Sequence, residues 1–392
     1  MKERNQYLVG DVIEKLKELP AESVQCAITS PPYWGLRDYG VAGQYGLEKT
    51  PEEHIAKMVE VFREVRRVLR NDGTFWLNYG DAYAGSGKTI YSQSNSSCAD
   101  GKPCDGFRSS RYLNQKLPPR SGYRIKPKDL LMMPARLALA LQADGWWLRS
   151  DIIWNKPNPM PEAVTDRPTK AHEYIFLLTK SARYFYDADA VREKYTEPLN
   201  RWGGDKTKPT DQSKGDEFAV KERVDREHRP DPLGRNCRSV WTIPTHPFPE
   251  AHFATFPPDL VKRCILAGTS HRACEVCGAP WERVVKSNIE GIGRNESGRY
   301  AKMDGNDGTC HYLSKTQIHG TRVSETLGFR PTCTCESKGE GRCIVLDPFM
   351  GSGTTAVVAQ ELGRDWVGID LNPKYRDIAI KRLQGVTIGL GI

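Results

Sequence analysis

Residues 345–355 read Val-Leu-Asp-Pro-Phe-Met-Gly-Ser-Gly-Thr-Thr. The apolar run from Cys343 to Leu346 reads as a strand, the glycines as a turn, and the residues through Leu362 as a helix. Glycine takes positive φ without a steric penalty and lets a backbone approach a ligand closely. In open α/β sheets, ligands bind at such turns, at the carboxyl ends of strands. A second strand, Trp366-Val367-Gly368-Ile369, ends at Asp370.

The same rhythm extends through the rest of the chain. Val24 to Thr29 is a short apolar strand stopped by Pro31-Pro32. Thr50-Pro51-Glu52-Glu53 supplies an N-cap, a first-turn proline and acids at the positive end of the helix dipole. Ile55, Met58, Val59, Phe62, Val65 and Leu69 follow at helical spacing, and Asn71-Asp72-Gly73 is the expected stop. Thr74 to Asn78, Leu148 to Trp154 and Glu173 to Thr179 read as strands. Pro134 to Ala143 reads as a helix, as does the run that Pro257-Pro258-Asp259 opens and Gly268 closes. Alternating strands and amphipathic helices predict an α/β fold with a doubly wound parallel sheet.

The 392 residues suffice for one large domain with insertions or two modest ones. A mean hydropathy of −0.59 fits a soluble chain with long polar loops. No apolar run is long enough to span a bilayer, and Met1-Lys2-Glu3-Arg4-Asn5 lacks a signal-peptide core, so the cytoplasm is expected. The formal charge of +8 favours a polyanionic partner.

Two polar stretches interrupt the rhythm. Residues 83–128 carry Lys88, Lys102, Arg108, Arg111, Lys116 and Arg120 among their cations, against only Asp100 and Asp105, with Tyr91, Phe107, Tyr112 and Tyr123 interleaved. The stretch is either a solvated insert or a loop whose cations meet phosphates and whose aromatics stack on bases. Residues 190–238 are also irregular and basic, with more acids among them. Ala82 to Thr89 loosely matches a phosphate-binding loop, but no helical periodicity follows it, and the match is rejected.

Eleven cysteines without an export signal point to metal ligation or reduced thiols rather than disulfides. Cys274-Glu275-Val276-Cys277-Gly278 has the spacing of a zinc knuckle, and Cys333-Thr334-Cys335 supplies a second pair. Four thiolates would close a tetrahedral structural site and staple this insertion beside the strand that begins at Cys343. Cys310, His311 and His271 are rival ligands.

Thr29-Ser30-Pro31-Pro32-Tyr33, taken with Asp347 to Gly353, resembles the DNA amino-methyltransferases. These enzymes transfer methyl from S-adenosylmethionine to an exocyclic base nitrogen. The cofactor motif follows the catalytic one, which resembles the permuted β-group. The resemblance implies a Rossmann-like methyltransferase sheet with basic inserts and a small zinc-ribbon insertion. It makes Ser30 Oγ and the Pro31 carbonyl acceptors for the amine, with Pro32 fixing the backbone and Tyr33 stacking on the base. Asp347, Pro348, Phe349, Gly351, Ser352, Gly353 and Thr354 would hold the methionine part of the cofactor, Asp370 the ribose, and Asp11 the adenine amino group. Phe253, Thr255 and Phe256 would pack on the methionine end. Residues 152–158 and 167–174 resemble later family motifs that shape the base pocket.

On this reading 1–189 form the catalytic half, with its basic loop at 83–128. Residues 190–238 are a target-recognition insert, and 239–392 the cofactor half, with the zinc insertion at 271–340. Double-stranded DNA is the implied partner, with a cognate restriction endonuclease as a second and a bacterial or phage origin. The target base must leave the stack for its amine to be reached. Members with Ser first in the catalytic motif mostly modify cytosine N4, and those with Asp first adenine N6; Ser30 favours cytosine and leaves adenine open.

Overall fold

In the computed structural model the residues described are 4–36, 40–84, 126, 128–194, 234–246, 256–293, 319–336 and 340–387. In chain order they form β1 (Gln6–Val9), α1 (Val12–Glu18), β2 (Val24–Thr29), α2 (Pro51–Val68), β3 (Leu69–Tyr79), α3 (Met133–Ala143), β4 (Trp147–Asn155) and β5 (His172–Thr179). There follow β6 (Val240–Thr242), α4 (Pro258–Gly268), β7 (Ala273–Cys274), β8 (Glu282–Gly293), β9 (His319–Arg330), β10 (Glu340–Gly341), β11 (Ile344–Asp347), α5 (Thr354–Glu361), β12 (Asp365–Asp370) and α6 (Pro373–Gln384).

The chain divides into two units. Residues 1–187, 238–282 and 331–392 make the first, and 188–237 with 283–330 the second. In the second, β8 pairs with β9, and Glu193 bridges to Arg235.

The sheet of the first unit has eight strands in the order β1-β12-β11-β2-β3-β5-β4-β6. All six residues of β2 are buried, the mark of a strand covered on both faces. On one face α1, α2 and α3 pack together; on the other, α4, α5 and α6 do. Adjacent β3 residues serve opposite layers: Phe75 packs on Phe62 of α2 at 5.0 Å, and Trp76 faces Trp241 at 6.2 Å. The order is permuted, because the last two large strands in sequence, β11 and β12, lie between β1 and β2.

Five neighbouring strands, β1, β12, β11, β2 and β3, run parallel. Strand β5 departs from the parallel direction of this doubly wound sheet, running antiparallel to both β3 and β4. Sequence periodicity carries no strand direction, so the reversal was invisible there. Helix α2 stops at Val68, ahead of the expected Asn71-Asp72-Gly73, which lie inside β3. Leu69 is already extended, and burial of its side chain outweighs the turn signal that follows.

Between Ala84 and Lys128 only residue 126 of the basic insert is described, together with its stem. Tyr83 bridges to Leu130, and Ala84 N donates to Asp129 O at 2.8 Å. The stem leaves from the carboxyl end of β3. Residues 195–233, the Gly-Ser-Gly of the rejected phosphate loop, Cys310 and His311 lie outside the described residues.

Candidate active site

A cavity of about 290 Å³ opens at the carboxyl ends of β2, β3, β11 and β12. One wall carries Ser30, Pro31, Pro32 and Tyr33; the opposite wall carries Phe349, Gly351, Ser352, Thr354 and Asp370. Two motifs separated by most of the sequence therefore share one space. Phe256 also lines it, while Phe253 and Thr255 fall outside the described residues.

Asp347, Pro348, Gly353 and Asp11 stand behind the wall. Asp347 is wholly buried and hydrogen-bonded at both oxygens: Oδ1 accepts from Thr29 Oγ1 (2.7 Å) and Phe349 N (3.0 Å), and Oδ2 from Thr355 Oγ1 (2.6 Å). Burial pushes its carboxyl up to about 6, against the pull of these hydrogen bonds and helped by the charge of Asp370. Pro348 is buried. Gly353 caps α5 at φ 83°, and a Cβ there would sit 2.6 Å from Ala379 Cβ, so only glycine fits. Asp11 caps α1, accepting from Ile13 N (2.9 Å) and Glu14 N (3.1 Å), and takes a 3.3 Å hydrogen bond from Tyr45, whose ring lines the cavity.

Asp370 ends β12. Its oxygens accept from Gly351 N (2.9 Å) and Asn372 N (2.8 Å), each retaining a lone pair for a ligand. Burial raises its pKa, and these backbone donors oppose the rise. A Cβ built on Gly351 would meet no atom within 4 Å, so the turn faces open space. Open backbone, a carboxylate with spare acceptor capacity, and the Tyr45 and Phe349 rings suit a nucleoside with an amino-acid tail. S-adenosylmethionine fits this donor set.

The catalytic wall is hydrogen-bonded throughout. Ser30 Oγ donates to Tyr33 Oη at 3.1 Å, and Tyr33 Oη donates to Glu173 Oε2 at 2.7 Å. Asn78 Nδ2 donates to Tyr33 Oη and Glu173 Oε2, both at 3.0 Å, and to Ser30 Oγ at 3.4 Å. Lys156 pairs with Glu173 Oε1, and its Nζ lies 4.3 Å from the Trp154 ring centroid. Burial, and next the Glu173 carboxylate, raise the Tyr33 phenol far above the ordinary tyrosine range. The sequence alone marks Asn78 only as the end of a strand. A polar side chain closing the apolar run Thr74-Phe75-Trp76-Leu77, at a strand end, was the available signal.

Tyr33 is held from behind. Its ring packs on Tyr79 at 4.8 Å and lies over Gly80, where a Cβ would come within 2.6 Å of Tyr33 Cε2. Tyr79 Oη meets His54 Nε2 at 2.7 Å, and His54 Nδ1 meets Glu48 Oε2 at 2.8 Å. Trp34 donates from Nε1 to Glu48 O at 2.9 Å. Burial works to raise Glu48, but the His54 hydrogen bond leads the effects that hold it below the ordinary range. The loop after Ser30 is thus anchored to α2 and β3.

A second cluster lies at the opposite end of the sheet. The sulfurs of Cys274, Cys277, Cys333 and Cys335 all lie within 4.8 Å of one another. Tetrahedral zinc with bonds of about 2.3 Å requires sulfurs roughly 3.8 Å apart, close to this arrangement. Gln25, at the start of β2, donates to Gly278 O (2.7 Å) and accepts from Ile344 N of β11 (2.6 Å). Arg70 of β3 donates to Cys277 O. Thr332 Oγ1 donates to Pro280 O at 2.7 Å, tying the chain just before Cys333 to that just after Cys277.

Similarity to known proteins follows both halves of the cavity. The family described as DNA methylase, of the N6/N4 type, matches residues 24–273 and 335–381. The Type II methyltransferase M.Cfr9I of Citrobacter freundii is 38% identical over 96% of this chain and 86% of its own length. M.SmaI of Serratia marcescens, also a Type II methyltransferase, is 36% identical over 96% of this chain and 89% of its own. Among solved structures, PvuII DNA methyltransferase (cytosine-N4-specific) covers 100% of this chain and 96% of its own, with a TM-score of 0.50 at 15% identity, a likeness of fold. The catalytic tetrapeptide, the glycine turn and the permuted sheet all lie within regions these matches cover, and the chain belongs to the N6/N4 DNA methylases, which methylate cytosine N4 or adenine N6 from S-adenosylmethionine.

Proposed function

We propose that this methylase acts on cytosine N4 at a specific site in double-stranded DNA, with the target base turned out of the helix into the cavity. The observation that carries this reading is the Ser30 hydroxyl. Its proton is directed at Tyr33, which leaves it a lone pair for a substrate donor. An exocyclic amine is such a donor; a carbonyl is not.

The amine's lone pair is delocalised into the ring, and two acceptors on its hydrogens draw the nitrogen toward tetrahedral geometry. Ser30 Oγ and the Pro31 carbonyl take these positions, and Pro31-Pro32 fixes the direction of that carbonyl. When bound, S-adenosylmethionine supplies a methyl group made electrophilic by its sulfonium. Asp370 holds the ribose and the Gly351 turn the methionine tail. Ser in the first motif position favours cytosine over adenine.

The basic insert contacts DNA. What supports this is the stem, which emerges at the cavity end of β3, and the excess of cations in the insert's sequence. Residues 190–238 serve target recognition. The four clustered cysteines hold one structural zinc. As a Type II enzyme the protein works beside a cognate restriction endonuclease in a bacterial or phage-infected cytoplasm. Among the described residues, no helix is long and apolar enough to cross a membrane.

The test is to incubate protein, S-adenosylmethionine and mixed-sequence DNA, then identify modified nucleosides by mass spectrometry. N4-methylcytosine is expected. N6-methyladenine would overturn the base assignment and keep the activity.

A further inference from the structure

We propose that Glu173 is the terminal proton acceptor of the transfer, reached from the target amine through the Ser30 and Tyr33 hydroxyls. The proposal rests on the reading of Ser30 as an acceptor for that amine.

Hydrogen-bond accounting gives the chain one direction. Tyr33 Oη gives its proton to Glu173 at 2.7 Å and accepts from both Ser30 and Asn78, so it is saturated. Glu173 accepts from Tyr33, Asn78 and Lys156 and has no proton to give. Ser30 Oγ must therefore donate inward, and its remaining capacity toward the cavity is as an acceptor. The Glu173 carboxylate, which shares the cavity lining with Ser30 and Tyr33, thus sets the polarity of the Ser30 hydroxyl.

The bookkeeping of the step closes on the same atoms. The amine nitrogen bonds to the methyl carbon as the methyl–sulfur bond breaks, and positive charge moves from sulfur to nitrogen. One N–H proton passes to Ser30 Oγ, the Ser30 proton to Tyr33 Oη, and the Tyr33 proton to Glu173 Oε2. The products are a neutral thioether, a neutral methylated base and a protonated Glu173. Tyr33 resists ionisation, so the protons move in concert and no tyrosinate forms. Lys156 and Asn78 hold the Glu173 carboxylate in line and act as positioning residues. Glu173 lines the cavity beside Asn78 and Lys156 and ends the relay.

The experiment measures single-turnover methyl transfer in the full chain for Glu173→Gln, Tyr33→Phe and the double variant, with cofactor and DNA affinities measured separately. Tyr33→Phe keeps the ring and breaks the relay. Each single variant is expected to slow transfer about a hundredfold or more, the range of general acid–base effects, without a matching loss of affinity. The double variant should be no slower than the slower single one, because both break one chain. A wild-type rate in Glu173→Gln, or effects that multiply in the double variant, would overturn the relay. If Glu173→Gln fails to fold, Tyr33→Phe carries the test alone, and its wild-type rate would be equally fatal. Ser30→Ala separates the two readings: full activity there removes the premise, while inactivity beside a fully active Glu173→Gln removes only the relay.

Discussion

Thr29 and Asp347, 318 positions apart in the chain, share a 2.7 Å hydrogen bond at the carboxyl ends of β2 and β11. Thr29 immediately precedes Ser30, and Asp347 opens the glycine turn, so one buried carboxylate couples the two walls of the cavity. Asp347→Ala leaves two buried hydroxyls and the Phe349 N–H without an acceptor. At about 1–3 kcal/mol for each orphaned group, a loss of at least about 3 kcal/mol is expected in denaturant titration, with weakened cofactor binding. Unchanged stability would contradict this account.

The same residue gives a pH signature. Its carboxyl is raised to about 6 in the folded protein, above its unfolded value near 4. Between these values the folded state binds the extra proton, so the contribution to stability is full below about pH 4, falls as pH rises to about 6, and is level above. The stability difference between wild type and Asp347→Asn should change across that window only. A difference independent of pH would contradict the assignment.

Gly80→Ala places a methyl 2.6 Å from Tyr33 Cε2 and displaces the ring. Methyl transfer should fall about tenfold or more, since small misplacements near reacting groups are costly, while cofactor affinity holds. Single-turnover kinetics with cofactor titration checks this. Transfer at the wild-type rate would mean that Tyr33 need not sit where it does.

His54→Ala leaves Glu48 and Tyr79 facing a buried gap. Each buried polar group left without its hydrogen-bond partner costs about 1–3 kcal/mol. The melting temperature should drop accordingly, with Tyr33 loosened through Tyr79; a variant that melts with the wild type would show that the network carries little stability.

Elemental analysis should find one zinc per chain, and removing it with a strong chelator should lower the melting temperature. Cys277→Ser should do the same without chelator. Metal-free protein of unaltered stability would remove the zinc assignment.

Much of this was legible in the primary structure. Thr50-Pro51 announced α2, and the glycines at 351 and 353 announced the turn, because caps and positive φ are local requirements. The motif residues Asp11 and Asp347 were readable as important, but their positions behind the wall were not, since that depends on Tyr45 and Thr29 from distant segments. The link from Ser30 to Glu173 was hidden for the same reason. It needs β3 and β5 side by side, and no spacing in the chain encodes a neighbour 140 positions away.

The reversal of β5 has an architectural consequence. In a parallel strand Glu173 would lie at the far end of the sheet; running backward, β5 begins at the rim, and Glu173 pairs with Trp154, two residues before Lys156. The connection from 157 to 171 therefore starts and finishes beside the cavity, with Asp166 paired to Lys128 and Arg167 over Tyr83 at the stem of the basic insert. Segments anchored this way can lengthen or change sequence between fixed posts. The rim can vary in this way without disturbing the strand ends beneath it.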